Sequence, residues 1–150
     1  MIEIKGDIWK FHRLGNFICI PTNGYVARDG HAVMGRGLAF ECTKRYSGIQ
    51  YEIGKQIKLY GNIPSPLSEY KLITFPTKHF FKDIADINLI IQSSQKLIDI
   101  TDLLYLDKVY LPHVGCGNGN LKWEDVKKNI EPIFKNDDRF IFVDYIKTQS

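Results

Sequence analysis

The stretch LPHVGCGNGNLKW, residues 111–123, decides how the rest of the chain is read. The apolar run Val109, Tyr110, Leu111 reads as a strand that stops at Pro112. Gly115, Gly117 and Gly119 follow, and an amphipathic helix is expected from about Leu121. A glycine-rich turn between a strand and a helix lets bare backbone N–H groups approach an anion closely. The turn has no Lys-Ser/Thr pair, so it is not a P-loop. It is not a dinucleotide fingerprint either, because the third glycine of GxGxxG would fall at position 120, which is Asn. The anion held here should therefore be of another kind.

Further buried strands are predicted on either side of this turn. NFICIPT (16–22) is a continuous apolar run, as expected of a strand covered on both faces. KLITFP (71–76), DKVYLP (107–112) and RFIFVDYI (139–146) read the same way, and the alternation in IEIKGD (2–7) predicts a short strand. Helices are predicted over GRGLAFECTKRY and over IQYEIGKQIKLYG, where Ile49, Ile53 and Ile57 share a face and Gly61 ends the run. Another is expected from Asp83 to about Leu106, with Ile87, Ile90, Ile91, Leu97 and Ile98 on one stripe. The last runs from Leu121 to Phe134, with Trp123, Val126, Ile130 and Phe134 inward. Residues 23 to about 34 and NIPSPLSEY read as loops. Strands alternating with helices predict an α/β fold with a mixed, largely parallel central sheet, whose ligands bind beyond the carboxyl ends of the strands. NGYVARDGHAVMGRG, PTKHFF and HVGCGNGN all fall at that edge.

The 150 residues are 44% hydrophobic and 13% aromatic, which suits one domain over 1–150 and excludes a disordered chain. A net charge of +3 is compatible with a small phosphate-bearing ligand, and no basic stripe interleaved with aromatics is visible. No apolar run reaches the length of a membrane span, and MIEIKGDIW lacks a signal-peptide core. Cys19, Cys42 and Cys116 have no metal-ligand spacing, and the first two read as reduced core residues. The expectation is a cytoplasmic, monomeric domain with no metal, no cofactor and no membrane partner.

VMGRGLAF places Gly35 and Gly37 before a helix, either as a second anion cradle with Arg36 adding charge or simply as a helix entry. Two cradles on one edge suit a diphosphate. Asp7, after the first strand, either accepts a hydrogen bond from an exocyclic amine or caps a turn or helix. Lys78 is either a solvated charge or a proton donor, electrophile or amine nucleophile in the site. The adjacent His79 should face the other way. Asn23 either positions a ribose hydroxyl or a water, or forms a turn before Gly24. His12 and His113 read as structural.

Taken together, KGDI, VMGRGLAF and VGCGNGNLKW resemble, in order and relative position, the motifs of the macrodomain family, and the resemblance covers nearly the whole chain. FPTKH and GCGNGNLKW are similar, more narrowly, to the branch of DarG-type macrodomains and deacylase-like glycohydrolases. The resemblance implies a three-layer α/β/α sandwich that binds ADP-ribose. It implies a diphosphate between Met34, Gly35, Arg36 and Gly37 on one side and Val114, Gly115, Cys116, Gly117, Asn118 and Gly119 on the other. It further implies that Asp7 and the Ile8 backbone bind adenine, that Tyr145 lies against the base, that Asn23 faces the distal ribose, and that Lys78 releases ADP-ribose from its target. The chain departs from the family pattern at Gly119, where one glycohydrolase relative has aspartate, and at Lys122, where Asp is frequent. It also has HFF for the more usual HW, and a longer stretch between Asn23 and Met34.

The function expected from these residues is removal of ADP-ribose from a modified nucleobase, including one in ADP-ribosylated DNA, or from a carboxylate ester. The alternatives are a non-catalytic binder of ADP-ribose or a related nucleotide, and a phosphatase acting on ADP-ribose 1″-phosphate.

Overall fold

A computed structural model describes residues 1–145. Six strands, β1 (Ile2–Gly6), β2 (Phe17–Asn23), β3 (Pro66–Leu67), β4 (Leu72–Lys78), β5 (Val109–Pro112) and β6 (Phe140–Tyr145), form one sheet in the order β1-β6-β5-β2-β4-β3. Every neighbouring pair is parallel except β3 with β4 at the edge. The helices are α1 (Ile8–Arg13), α2 (Gly37–Arg45), α3 (Ile49–Tyr60), α4 (Ile87–Leu103) and α5 (Trp123–Phe134). Ile146, the last residue of the strand predicted at 139–146, lies outside the described residues.

The central strands β2, β4 and β5 and the first four residues of β6 are largely apolar because helices cover both faces of the sheet, whereas the edge strand β1 keeps Glu3 and Lys5 outward. Cys19, Ile73, Val109, Leu111, Phe140 and Phe142 point into a core shared with α4 and α5. Their alternates Ile18, Ile20, Leu72, Tyr110, Ile141 and Val143 point into a second core shared with α1, α2 and α3. The period of two along each strand thus sorts one hydrophobic run into two cores. The result is the expected three-layer α/β/α sandwich. Cys19 and Cys42 are fully buried, and burial pushes the Cys42 thiol up to about 12. Among the described residues, no helix is long and apolar enough to cross a membrane.

Four local features differ from the sequence expectation. Helix α1 was not expected; it packs Ile8 and Trp9 into the second core and is capped by Asp7, whose carboxylate accepts the Trp9 N–H at 3.0 Å. Helix α4 begins at Ile87 rather than near Asp83, because Asp86 is its N-cap and accepts the Asn88 N–H at 2.9 Å. Residues 83–86 are thereby released as loop, continuous with residues 79–82. The buried side of α4 also includes Ser93, Ser94 and Thr101, whose hydroxyls donate to the carbonyls of Pro76, Ile90 and Leu97. NIPSPLSEY is not wholly loop, since it holds β3 and a 3₁₀ turn at Ser68–Tyr70.

The long segment between Asn23 and Met34 is tied to α3. Val26 and Ala32 bridge, Ala32 N–H donates to Gln50 O at 2.9 Å, and Tyr51 donates to the Asp29 carboxylate, which also bonds the His31 ring. A methyl group on Gly54 would stand 2.0 Å from the Gly30 carbonyl oxygen. Glycine at this helix position therefore opens the notch in which the loop sits.

Candidate active site

Strand order lays the site out along the carboxyl edge of the sheet. The ends run from Gly6 through Tyr145, Pro112 and Asn23 to Lys78. Asn23 and Lys78 are cross-strand partners just past a register irregularity between Thr22 and Asn23. Such irregularities re-aim side chains at strand ends. Above this edge lies a cleft of about 720 Å³, a size usual for small-ligand sites.

Met34, Gly35, Arg36 and Gly37 line the cleft together with Gly115, Cys116, Asn118 and Gly119, and Asn23 and Lys78 line it too. The two loops nearly touch, for a methyl group on Gly37 would be 3.5 Å from Asn118 Nδ2. Arg36 is the N-cap of α2 and makes no side-chain capping bond, so the side chain leaves the first-turn N–H groups open toward the cleft. The lining carries Arg36, Lys78 and Lys82 against Asp83. Helix terminus and side chains together give the cleft a positive bias suited to an anion.

The Lys78 ammonium donates to Asn118 O at 3.1 Å and to Phe81 O at 3.4 Å. It thus ties the second glycine loop to the segment after β4. A lysine has three donors, and one remains for a ligand. His79 leaves the cleft and bonds Asp86 at 2.9 Å, as alternation along the chain requires. Asn23 lines the cleft, and its amide is also structural. Nδ2 donates to Val33 O at 2.9 Å, and Oδ1 accepts the Tyr25 N–H at 3.0 Å.

Five of the residues named from sequence stand apart from the cleft wall. Val114 is fully buried in the core against α4 and α5, two residues past the end of β5. Gly117 is exposed at the tip of its loop, in a 3₁₀ turn spanning Gly117–Gly119. Asp7, Ile8 and Tyr145 belong to the far end of the strand edge. Gly6 is paired with Tyr145 in register. Ile8 is buried in the second core, whereas Tyr145 is exposed. Desolvation raises the Tyr145 phenol above its ordinary value, Glu41 and Asp7 add to the effect, and Arg45 opposes it.

The sequence reading did not select Thr77, Phe81, Lys82, Asp83 and His113 for the site, yet all line the cleft. The signal for residues 81–83 was the Asp86 cap, which places them before the helix. His113 stacks on Trp123 with ring centroids 4.0 Å apart, and burial lowers its pKa while Asp144 and Glu3 oppose the shift. It forms an aromatic wall. Burial raises the Cys116 thiol, which disfavours a thiolate nucleophile there. Among the described residues, no group of three or more His, Cys, Asp or Glu stands together as metal ligands would.

Gly119 also has a packing role. Its Cβ would come within 2.9 Å of Ala85 Cβ, and its carbonyl accepts the Ala85 N–H at 3.0 Å. The loop at this point has no room for the aspartate of the glycohydrolase relative unless Ala85 moves.

No protein-family model matches the chain. A curated relative, DNA ADP-ribosyl glycohydrolase from Mycobacterium tuberculosis, is 30% identical over 115 residues, which are 69% of this chain and 32% of the relative. The chain thus spans about a third of the length of the curated relatives it matches. Among solved structures, the macrodomain of Mycobacterium tuberculosis DarG superposes with a TM-score of 0.70 at 24% identity, covering 89% of this chain and 90% of that one. Thermosipho africanus DarTG in complex with ADP-ribose superposes with a TM-score of 0.68 at 18% identity, covering 90% and 39%. The superposition, with two glycine loops on one edge of a largely parallel sheet, gives the chain the macrodomain fold, of the kind seen in DarG.

Proposed function

We propose that the cleft binds ADP-ribose and that the protein hydrolyses the bond joining its distal ribose to a modified target. The observation that carries this reading is Lys78, which lines the cleft with both glycine loops and is held by the carbonyls of Asn118 and Phe81. In this assignment the α2 N-terminus and the Gly115–Gly119 loop hold the diphosphate, Asp7 and Tyr145 lie at the adenine end, and Asn23 and Lys78 lie at the distal ribose. The relatives' name and the ADP-ribose in the Thermosipho africanus structure support the assignment.

Cleavage breaks the bond at C1″ and develops positive charge on the ribose. Lys78 donates a proton to the departing group, whose leaving oxygen or nitrogen would otherwise carry the negative charge, and water supplies the hydroxyl at C1″. An alternative route, for a nitrogen-linked target, opens the ribose ring to a Schiff base between C1″ and the target nitrogen; the neutral Lys78 amine adds at C1″, the target departs with a proton on its nitrogen, and water hydrolyses the resulting lysine imine to ADP-ribose and the free amine. Trapping with borohydride separates the two, since only the imine leaves ADP-ribose bonded to the protein.

Incubation with an ADP-ribosylated oligonucleotide and with an ester-linked ADP-ribosyl peptide tests the activity. Release from at least one is expected, and Lys78→Ala should slow it by about 100-fold or more while ADP-ribose binding persists. Binding without release from either would leave a reader of ADP-ribose. That second reading is favoured by Gly119, which provides no acid beside Lys78.

A further inference from the structure

Among the described residues, Asp83 is the one carboxylate in the cleft lining, which it shares with Arg36, Lys78 and Lys82. Its side chain accepts no hydrogen bond and pairs with no cation among those residues. Lys82, next in the chain, instead stands with Nζ 5.9 Å from the Phe81 ring centroid. A negative charge in a cleft biased toward anions works against binding of an anionic ligand. A part in the chemistry would offset that cost. The segment that carries Asp83 is well anchored. Asp83 N–H donates to Phe80 O at 3.0 Å, and the rings of Phe80 and Phe81 cluster with Tyr25, whose centroid is 5.2 and 5.4 Å away. Before Asp83, the Phe81 carbonyl accepts the Lys78 ammonium at 3.4 Å. After it, Ala85 N–H donates to Gly119 O at 3.0 Å. Asp83 thus lies between a tie to the lysine and a tie to the second glycine loop.

We propose that Asp83 is the general base of the hydrolysis, taking a proton from the water that attacks C1″ while Lys78 protonates the departing group. The proposal rests on the hydrolase reading of the cleft and adds the group that activates water. A lysine that gives its proton to the leaving group does not accept one from water in the same step. Neither glycine turn, 34–37 or 115–119, contains an acid. In the step, the water oxygen bonds to C1″ as the bond from C1″ to the target breaks. One water proton passes to the Asp83 carboxylate, and the Lys78 proton passes to the leaving oxygen or nitrogen. Solvent then removes the proton from Asp83 and returns one to Lys78, so water is the only reagent consumed. The carboxylate also complements the positive charge that develops on the ribose.

The test compares the parent with Asp83→Asn, Asp83→Ala and Asp83→Glu on whichever of the ADP-ribosylated oligonucleotide and the ester-linked ADP-ribosyl peptide the parent cleaves. Single-turnover release, ADP-ribose affinity by calorimetry and thermal melting are measured for each. Asp83→Asn should slow release by about 100-fold or more. Its affinity for ADP-ribose should equal or exceed that of the parent, because a charge that repels the diphosphate is gone. Its melting temperature should not change, because the carboxylate has no partner to lose. Formate should recover part of the rate of Asp83→Ala, and Asp83→Glu should release faster than Asp83→Asn. The proposal is overturned if Asp83→Asn releases at the parent rate, or if its slower release comes with an equal loss of affinity or a lower melting temperature. It is also overturned if neither formate nor glutamate restores any rate. A parent that binds ADP-ribose but cleaves neither substrate would instead overturn the hydrolase reading, and the base with it.

Discussion

A methyl group placed on Gly35 would meet open space, whereas one placed on Gly115 would lie 2.6 Å from Ile90 Cδ1 and 3.2 Å from Leu121 Cδ1. Both residues belong to glycine-rich turns that lead into helices on the same edge of the sheet, and in sequence they look equivalent. The turn before α2 is exposed from Gly35 to Gly37 and has no side chain capping its helix. The turn after β5 is pressed onto α4, with Gly115 and Gly119 buried and only its tip, Gly117 and Asn118, exposed. Glycine in the first turn keeps backbone accessible to a ligand. In the second it also lets two layers of the protein close on each other.

Substitutions can break this contrast one glycine at a time. Gly115→Ala should have the largest effect, because φ is +80° and Ile90 and Leu121 already occupy the space. Left-handed strain plus overpacking should cost about 3 kcal/mol and lower the melting temperature by roughly 6–12 °C. Adding Ile90→Val removes the nearest atom and should recover part of the loss. A Gly115→Ala variant that melts like the parent would refute the packing account.

Gly119→Asp should follow, at about 1–3 kcal/mol, since it must displace Ala85 but carries no positive φ. Ala85→Gly in the same chain should restore much of the melting temperature. If the double variant is no better than the single, Ala85 is not the obstacle.

Gly117→Val tests the exposed tip. Its φ of +67° strains a branched residue by about 1–2 kcal/mol, and nothing lies within 4 Å of the added carbon. Melting should therefore fall by only about 3–6 °C, while ADP-ribose affinity, measured by calorimetry, should drop by about tenfold or more. Unchanged affinity in a folded variant would take this tip out of the diphosphate site.

Gly35→Ala should do least, with a stability change of about 0.5 kcal/mol or less. Any loss of ADP-ribose affinity without loss of melting temperature would then report backbone approach at Gly35.

The sequence revealed the layers clearly because burial on both faces makes a strand uniformly apolar, as in residues 17–20, 72–75 and 140–143. It also revealed that the two glycine turns share an edge, since both follow strands of one parallel sheet. Shorter or context-dependent features escaped. Helix α1 has six residues, too few for a period to show, and depends on Asp7 and on packing of Ile8 and Trp9. The start of α4 turned on its cap: Asp86 caps it, so starting the helix at Asp83 placed Asp83, which lines the cleft, inside a helix it does not join. Val114 was counted with the glycines beside it, although it is an apolar residue that the turn past β5 folds into the core against α4 and α5. The Tyr25–Phe80–Phe81 cluster joins residues more than fifty positions apart, and no local pattern announces such a meeting.

The notch at Gly54 makes the outer helix a party to the shape of the cleft. The loop it receives begins at Asn23 and ends at Met34, so a change as small as serine at position 54 would lift a segment anchored at both ends to the cleft. Descendants of this sequence could vary freely along the exposed side of α3 and yet be held to glycine at that point, or else change Gly54 and the Gly30 loop together. A protein engineer transplanting a longer loop to widen the cleft beside Asn23 would have to bring the matching turn of α3 with it.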